Sequence, residues 1–318
     1  MEINQIRDQV SKIKENIEKV IIGKGAIIEL ILTALLANGH VLLEDVPGTG
    51  KTVLAKSLAK SMEADFKRIQ FTPDLLPSDI TGLNFYNQIL GEFTFRKGPA
   101  FTHILLADEI NRATPRTQSS LLECMEEKQI TIDGETRKLE QPFLVIATQN
   151  PIETAGTFPL PEAQLDRFLI QIPMGMPSAQ DEVAILNRFI TDNPLEELQP
   201  VCTRADLLMM QETIKSIYIH PSLMEYMVAL VHNTRIHKGV VLGVSPRGSL
   251  AFLRAVQAYC AIQGMTYASP EVIQYVAPFV LGHRMILRTT NQKREAAGEM
   301  IKSILSDTPV PTEEFFRR

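Results

Sequence analysis

Long apolar runs, paired cysteines and an excess of basic charge are all missing from this 318-residue chain, and each absence removes a class of protein. The longest apolar stretch, Leu30 to Leu43, contains Asn38, Gly39 and His40 and is too short to cross a bilayer. The N-terminus is charged from Glu2 onward and lacks the apolar centre of a signal peptide. Cys124, Cys202 and Cys260 lie far apart with no C-x-x-C spacing, so neither a disulfide nor a thiolate metal site is expected. A formal net charge of −5 argues against a surface coated for nucleic acid, although a local basic channel stays compatible with it. Internal repeats and low-complexity tracts are absent. The expectation is a cytoplasmic protein with reduced thiols. What remains is ordinary: 45% hydrophobic and 22% charged residues, in a chain long enough for two domains.

The most informative stretch is Val46-Pro47-Gly48-Thr49-Gly50-Lys51-Thr52. It follows the apolar run Val41-Leu42-Leu43 and opens a helical pattern in which Val53, Leu54 and Leu58 are apolar. Strand, glycine-rich loop and helix in that order can cradle a nucleoside triphosphate. The glycines let backbone N–H groups turn toward phosphate oxygens at a helix N-terminus that already favours anions. Lys51 neutralises the outer phosphates and Thr52 offers its hydroxyl to Mg²⁺. Asp45 stands where the full pattern G-x-x-x-x-G-K-[ST] has its first glycine.

A second apolar run, Phe101 to Ala107, ends abruptly in Asp108-Glu109. Buried parallel strands read as continuous apolar runs, and ligands sit at their carboxyl ends. Asp108 is therefore a candidate to hold Mg²⁺ through water, and Glu109 to polarise a water attacking the terminal phosphate. A solvated strand end is the plain alternative, and the phosphate loop upstream weighs against it.

Ile3, Ile6, Val10, Ile13 and Ile17 mark an amphipathic first helix, and a second runs from about Ala26 to Ala37. Strands are expected at Val41–Leu43, Lys67–Phe71, His103–Ala107, Phe143–Ala147 and Leu169–Ile172. Helices between them give an α/β class with a central parallel sheet. Leu83–Arg96 and Gln129–Leu139 alternate in polarity around Gly91-Glu92 and Asp133-Gly134, so both read as inserted β-hairpins. From Ala179 to Leu305 the pattern is helical throughout. The expected division is a nucleotide-binding core over 1–175, an all-helical lid over 179–307 and a frayed tail over 308–318.

These residues resemble the AAA+ ATPases, and closely the MoxR family within them. The resemblance covers nearly the whole chain. It is carried by Leu42 to Thr52, Asp108-Glu109-Ile110-Asn111-Arg112-Ala113, Ala147-Thr148-Gln149-Asn150-Pro151, Leu160 to Phe168 and Gly243-Val244-Ser245-Pro246-Arg247. Asp45 is similar to what that family carries; Lys24 replaces a glutamine expected near the adenine. The resemblance implies ATP and Mg²⁺ as cofactors. It implies nucleotide contacts from Ile21, Ile22, Gly23, Val46, Pro47, Gly48, Thr49, Gly50, Lys51, Thr52 and Val53, with Thr52 and Asp108 toward the metal. Asn150 is implied as the sensor-1 amide beside Glu109, and Arg247 as the sensor-2 arginine of the lid. Arg167 is implied as a finger reaching the neighbouring subunit's nucleotide, with Arg112 and Arg116 as rivals. Both hairpins are expected to face the pore of a homo-oligomeric, hexameric ring, Phe85 and Tyr86 being the first side chains to consider.

The function expected is ATP hydrolysis that remodels or matures protein partners, including proteins with a von Willebrand A domain. No D-x-S-x-S follows a strand here, so such a domain must come from another chain. A nucleic-acid motor and a slow nucleotide-gated scaffold are the alternatives. The acidic balance weighs against the first, and the Asp108-Glu109 pair against the second.

Overall fold

Every apolar run expected as a strand joins one sheet in the computed structural model, which describes residues 1–44, 48–150, 156–190, 193–288 and 293–311. Two helices come first, α1 (Ile3–Glu18) and α2 (Gly25–Leu36), then β1 (Val41–Glu44), α3 (Lys51–Ser61), β2 (Phe66–Gln70) and α4 (Pro77–Thr81). The first hairpin is β3 (Gly82–Asn87) with β4 (Glu92–Lys97); β5 (Ile104–Asp108) and α5 (Pro115–Glu127) follow. The second hairpin is β6 (Gln129–Ile132) with β7 (Glu135–Lys138). The core continues through β8 (Leu144–Gln149), α6 (Glu162–Leu165) and β9 (Ile170–Pro173). Beyond it lie α7 (Ala179–Arg188), α8 (Pro194–Glu197), α9 (Arg204–Thr213), α10 (Pro221–Ile236), β10 (Val240–Leu242), α11 (Pro246–Ile262), α12 (Pro270–Leu281), β11 (Ile286–Leu287) and α13 (Lys293–Asp307).

The five-stranded sheet has the order β2-β5-β8-β1-β9, and every neighbouring pair is parallel. Successive side chains on a strand point to opposite faces, so the central strands β1, β5 and β8 feed two cores. Leu43, Ile104, Leu106, Leu144 and Ile146 enter one core with α1, α2 and α3. Leu42, Leu105, Ala107, Val145 and Ala147 enter the other, with Leu121, Leu122 and Met125 of α5. That double burial is why these strands read as unbroken apolar runs.

Both hairpins form. Asp133 and Gly134 have φ of +50° and +84°, the pair of left-handed residues that a tight type I′ turn needs. The hairpins also touch: Asn84 donates to Asp133 Oδ2 at 2.7 Å, and the Arg137 guanidinium lies 4.3 Å from the centre of the Phe95 ring. At the tip of the first, Ile89 is 94% exposed and Phe93 72%.

Three features differ from the sequence expectation. The lid is not purely helical, because β10 and β11 pair as a short antiparallel ribbon. Strands of three and two residues carry no periodicity to read, and only their pairing makes them strands. The lid also shares a core with the nucleotide-binding part: Phe252, Ala255 and Val256 of α11 join the cluster built by α1, α2 and the sheet. Finally, Thr308 is not frayed. It is buried, its hydroxyl donates to the Ile304 carbonyl at 2.7 Å, and it accepts from Asn233 at 2.7 Å. Among the described residues no helix is long and apolar enough to cross a membrane.

One buried imidazole ties the sheet to α5. His40 Nδ1 accepts the Val145 N–H at 3.0 Å, which leaves Nε2 to donate to the Met125 carbonyl at 3.0 Å. Accepting at Nδ1 requires neutral histidine. Burial, assisted by Lys128 and partly opposed by the Met125 carbonyl, pushes its pKa from 6.5 down to about 4. A depressed folded pKa contributes stability that is complete above pH 6.5 and lost as pH falls toward 4. The loss attributable to His40 is about 3 kcal/mol, at roughly 1.4 kcal/mol per unit. Urea unfolding at pH 7 and pH 4 should show a pH dependence smaller by that amount in His40→Asn; an equal dependence would locate the titration elsewhere.

Candidate active site

The phosphate loop connects β1 to α3 at the carboxyl end of the sheet, the edge where parallel sheets bind ligands. Glu44, the last residue of β1, accepts from Gln149 at 2.9 Å and Gln171 at 2.7 Å and so braces β1 against both neighbouring strands. Gly48 and Gly50 have φ of +91° and +88°, and a Cβ at either would meet no protein atom within 4 Å. Glycine is thus required by backbone conformation and not by crowding. Gly50 caps α3 without a side-chain hydrogen bond, and the first turn of α3 carries no acid. An anion is favoured at such a helix start. Thr52 and Val53 occupy that first turn. Asp45, Val46 and Pro47 lie outside the described residues.

Lys51 Nζ stands 4.0 Å from Asp108 Oδ1, so the loop and the end of β5 meet although β8 lies between their strands. Asp108 is buried and crowded with donors. The Thr148 hydroxyl donates to its Oδ1 at 2.6 Å, and half-exposed Arg68 donates to its Oδ2 at 2.6 Å. Glu109 sits in the left-handed region at φ +56°, where its N–H donates to the same Thr148 hydroxyl at 2.8 Å. That turn swings the Glu109 side chain away from Asp108's. Its Oε2 accepts from Gln70 at 2.8 Å and pairs with Arg112 Nε at 3.0 Å. Asn150 follows β8 directly and is buried, between the strand carrying Asp108 and the strand feeding the loop. Pro151, which follows it, lies outside the described residues.

Two of the sequence candidates meet each other elsewhere. Arg167 Nε pairs with Glu126 Oε2 at 3.0 Å, and Arg247 Nη1 pairs with Glu126 Oε1 at 3.1 Å. Below them Arg284, fully buried, donates to Asp166 Oδ1 at 2.7 Å and to the Phe168 and Leu169 carbonyls at 2.6 and 3.1 Å. Burial lowers the Arg284 pKa to about 10, and Asp166 opposes the fall, so it stays charged in the physiological range. Of the rival arginines, Arg112 is engaged with Glu109 of its own chain, while Arg116 is exposed at the start of α5.

The segment expected as the adenine wall joins α1 to α2. Ile21 packs on the main core, Ile22 is half-buried, and Gly23 has φ +71° with a Cβ position 2.6 Å from the Asp181 carboxylate. Lys24 bonds the Met174 and Gly175 carbonyls at 2.7 and 2.9 Å, fastening this segment to the chain after β9. Sequence reasoning missed Arg68, Gln70, Thr148, Glu126 and Arg284. Of these, Thr148 had a signal: it lies two residues before Asn150, at a strand end already identified.

A parallel sheet of this order, with a Gly-Lys-Thr loop on one strand and Asp-Glu ending another, defines a P-loop nucleoside triphosphatase core. The comparisons agree. The model for the "ATPase family associated with various cellular activities (AAA)" matches residues 40–170, and that for the AAA lid domain matches 232–304. The chain is 40% identical to Chaperone MoxR1 of Mycobacterium tuberculosis, over 93% of this chain and 80% of the relative. It is 50% identical to the uncharacterised protein YeaC of Bacillus subtilis, over 96% and 95% of the two chains. The crystal structure of a candidate ATPase from Cytophaga hutchinsonii superposes with a TM-score of 0.89 at 38% identity, covering 98% of this chain and 97% of that one. The chain belongs to the MoxR family of AAA ATPases.

Thr148 is fully buried, and its one hydroxyl serves both Asp108 and the Glu109 N–H. Isosteric valine would leave the Glu109 N–H without this acceptor and remove the hydroxyl donor to Asp108 Oδ1. Thr148→Val should cost about 1–3 kcal/mol in urea unfolding, and Thr148→Ser should recover most of it. Equal stability of the valine variant would show that neither bond matters.

Proposed function

We propose that this protein hydrolyses ATP with Mg²⁺ in a six-membered ring of identical subunits and uses the cycle to remodel or mature protein partners. The observation that carries the hydrolytic reading is Lys51, at the start of α3, facing Asp108 beside Glu109. Lys51, the N–H groups of residues 48–52 and the start of α3 bind the phosphates; Ile21, Ile22 and Gly23 flank the base. The donor set suits a hard cation, since Thr52 and Asp108 offer only oxygen. A Mg²⁺ ion held by Thr52 and Asp108 would neutralise phosphate charge. Arg68 competes for Asp108 Oδ2, and its half-exposed side chain can withdraw into solvent.

Glu109 acts as the base that orients the attacking water. With Oε2 taken by Gln70 and Arg112, Oε1 is the oxygen with no protein partner among the described residues. Asn150 supplies a neutral amide that can bond water and phosphate together. Arg167 serves the nucleotide of the neighbouring subunit. Arg247 shares the Glu126 carboxylate with Arg167, which supports a reading in which both arginines serve the same phosphate.

The remodelling reading is supported by the name Chaperone MoxR1 of a relative and by the exposed apolar tip of the first hairpin. Phe85, Tyr86, Ile89 and Phe93 offer a partner an apolar surface that carries no catalytic group. Proteins with von Willebrand A domains are the partner class this reading favours.

Lys51→Ala should abolish ATP binding, while Glu109→Gln should bind ATP and turn it over roughly 10²–10⁴-fold more slowly. Equilibrium binding and steady-state phosphate release separate the two; tight binding by Lys51→Ala would remove the loop from the site. Replacing residues 83–96 with a Gly-Ser turn should preserve basal hydrolysis and oligomer size while abolishing partner-dependent change in the rate. Retained partner response would return the hairpin to a decorative role.

A further inference from the structure

Glu126 joins three parts of the molecule that are far apart in sequence: α5 of the core, the turn before β9 and the first turn of the lid helix α11. Each of its carboxylate oxygens holds a different guanidinium, Oε2 that of Arg167 and Oε1 that of Arg247. Two guanidinium groups repel each other, and the carboxylate between them offsets that repulsion. We propose that Glu126 is a positioning residue that sets Arg167 and Arg247 as a paired receptor for the phosphate of the adjoining subunit. This rests on the reading that Arg167 acts on that phosphate.

The geometry favours positioning over mere neutralisation. Arg167 is held through Nε, so the terminal fork of its guanidinium is left for a second ligand, and Arg247 is held through a single Nη. No other side-chain hydrogen bond or ion pair engages either arginine among the described residues. Their side chains remain 29% and 45% exposed, within reach of a partner surface. Two cations on one carboxylate leave the cluster with a net positive charge, which suits an anion that accepts from two forks at once.

The backbone under both arginines is anchored independently of Glu126. Arg284 bonds the Asp166 carboxylate and the carbonyls of Asp166, Phe168 and Leu169. The Ser245 hydroxyl donates to Asp166 Oδ2 at 3.0 Å and accepts the Gly248 N–H at 3.2 Å, capping α11 two residues before Arg247. The chain is therefore fixed at the base of each arginine, and only the long side chains depend on Glu126. Loss of Glu126 should leave fold and nucleotide affinity alone and disturb the placement of two reactive forks. A displacement of about 1 Å at a reacting centre costs up to roughly 10²-fold.

The test uses the full-length protein at saturating ATP and Mg²⁺. Glu126→Gln keeps the size of the side chain, but its amide nitrogen cannot accept from the second arginine. Its kcat should fall roughly 10- to 100-fold while KM for ATP and the thermal midpoint stay unchanged. Glu126→Asp, which keeps both oxygens, should recover part of the loss. Mixing Glu126→Gln with Lys51→Ala subunits should restore activity, because the Lys51→Ala subunit presents an intact receptor to its neighbour's ATP. In an Arg167→Ala, Arg247→Ala background, Glu126→Gln should add no further loss. Full activity of Glu126→Gln, when Arg167→Ala is inactive, overturns the role of Glu126 and leaves the finger in place. An additive loss in the doubly substituted background also overturns it. Full activity of Arg167→Ala sinks the finger reading itself, and the proposal with it.

Discussion

The insertion of β8 between β5 and β1 is the constraint on which the site depends. It puts the phosphate loop and the acidic pair on strands one place apart, and parallel pairing aligns their carboxyl ends on the same edge. The inserted strand also braces the acidic pair, since the Thr148 hydroxyl holds the Asp108 carboxylate and the Glu109 N–H, and Asn150 follows at its end. The Glu109 carboxylate is directed instead by Gln70 and Arg112.

A second layer of the design couples the lid to this core. The lid does not hang from a linker, because α11 buries its apolar face against α1 and α2 in the core that continues to the sheet. Buried Arg284 then reaches from the lid into the turn before β9 and satisfies four oxygen atoms there. A buried cation is costly unless its partners are complete, and this one is complete only when lid and turn are in place together. The placement of the lid and that of the turn carrying Arg167 are therefore linked through Arg284.

The hairpins obey a different logic. They contribute little to either core, yet they contact each other through Asn84 with Asp133 and Arg137 with Phe95. Together they form one unit whose most exposed apolar side chains, Ile89 and Phe93, sit at the tip of the first hairpin.

Much of this was legible in the residues themselves. Doubly buried strands write themselves as apolar runs, the phosphate loop as glycines followed by Gly-Lys-Thr, and the second hairpin as Asp133-Gly134, because each reflects a local backbone or burial requirement. What the chain order could not convey is any contact between side chains distant along it. Arg68 and Gln70 meet Asp108 and Glu109 only because β2 pairs with β5, and no periodicity in β2 announces this. Glu126 looks like one more acid on the solvent side of an amphipathic helix until folding brings Arg167 and Arg247 to its two oxygens. The short β10–β11 ribbon is invisible for the same reason, since two or three residues become a strand only through their neighbour. Local conformation is encoded in the types of adjacent residues, whereas the electrostatics of the site are set by which distant charges the packed cores force together.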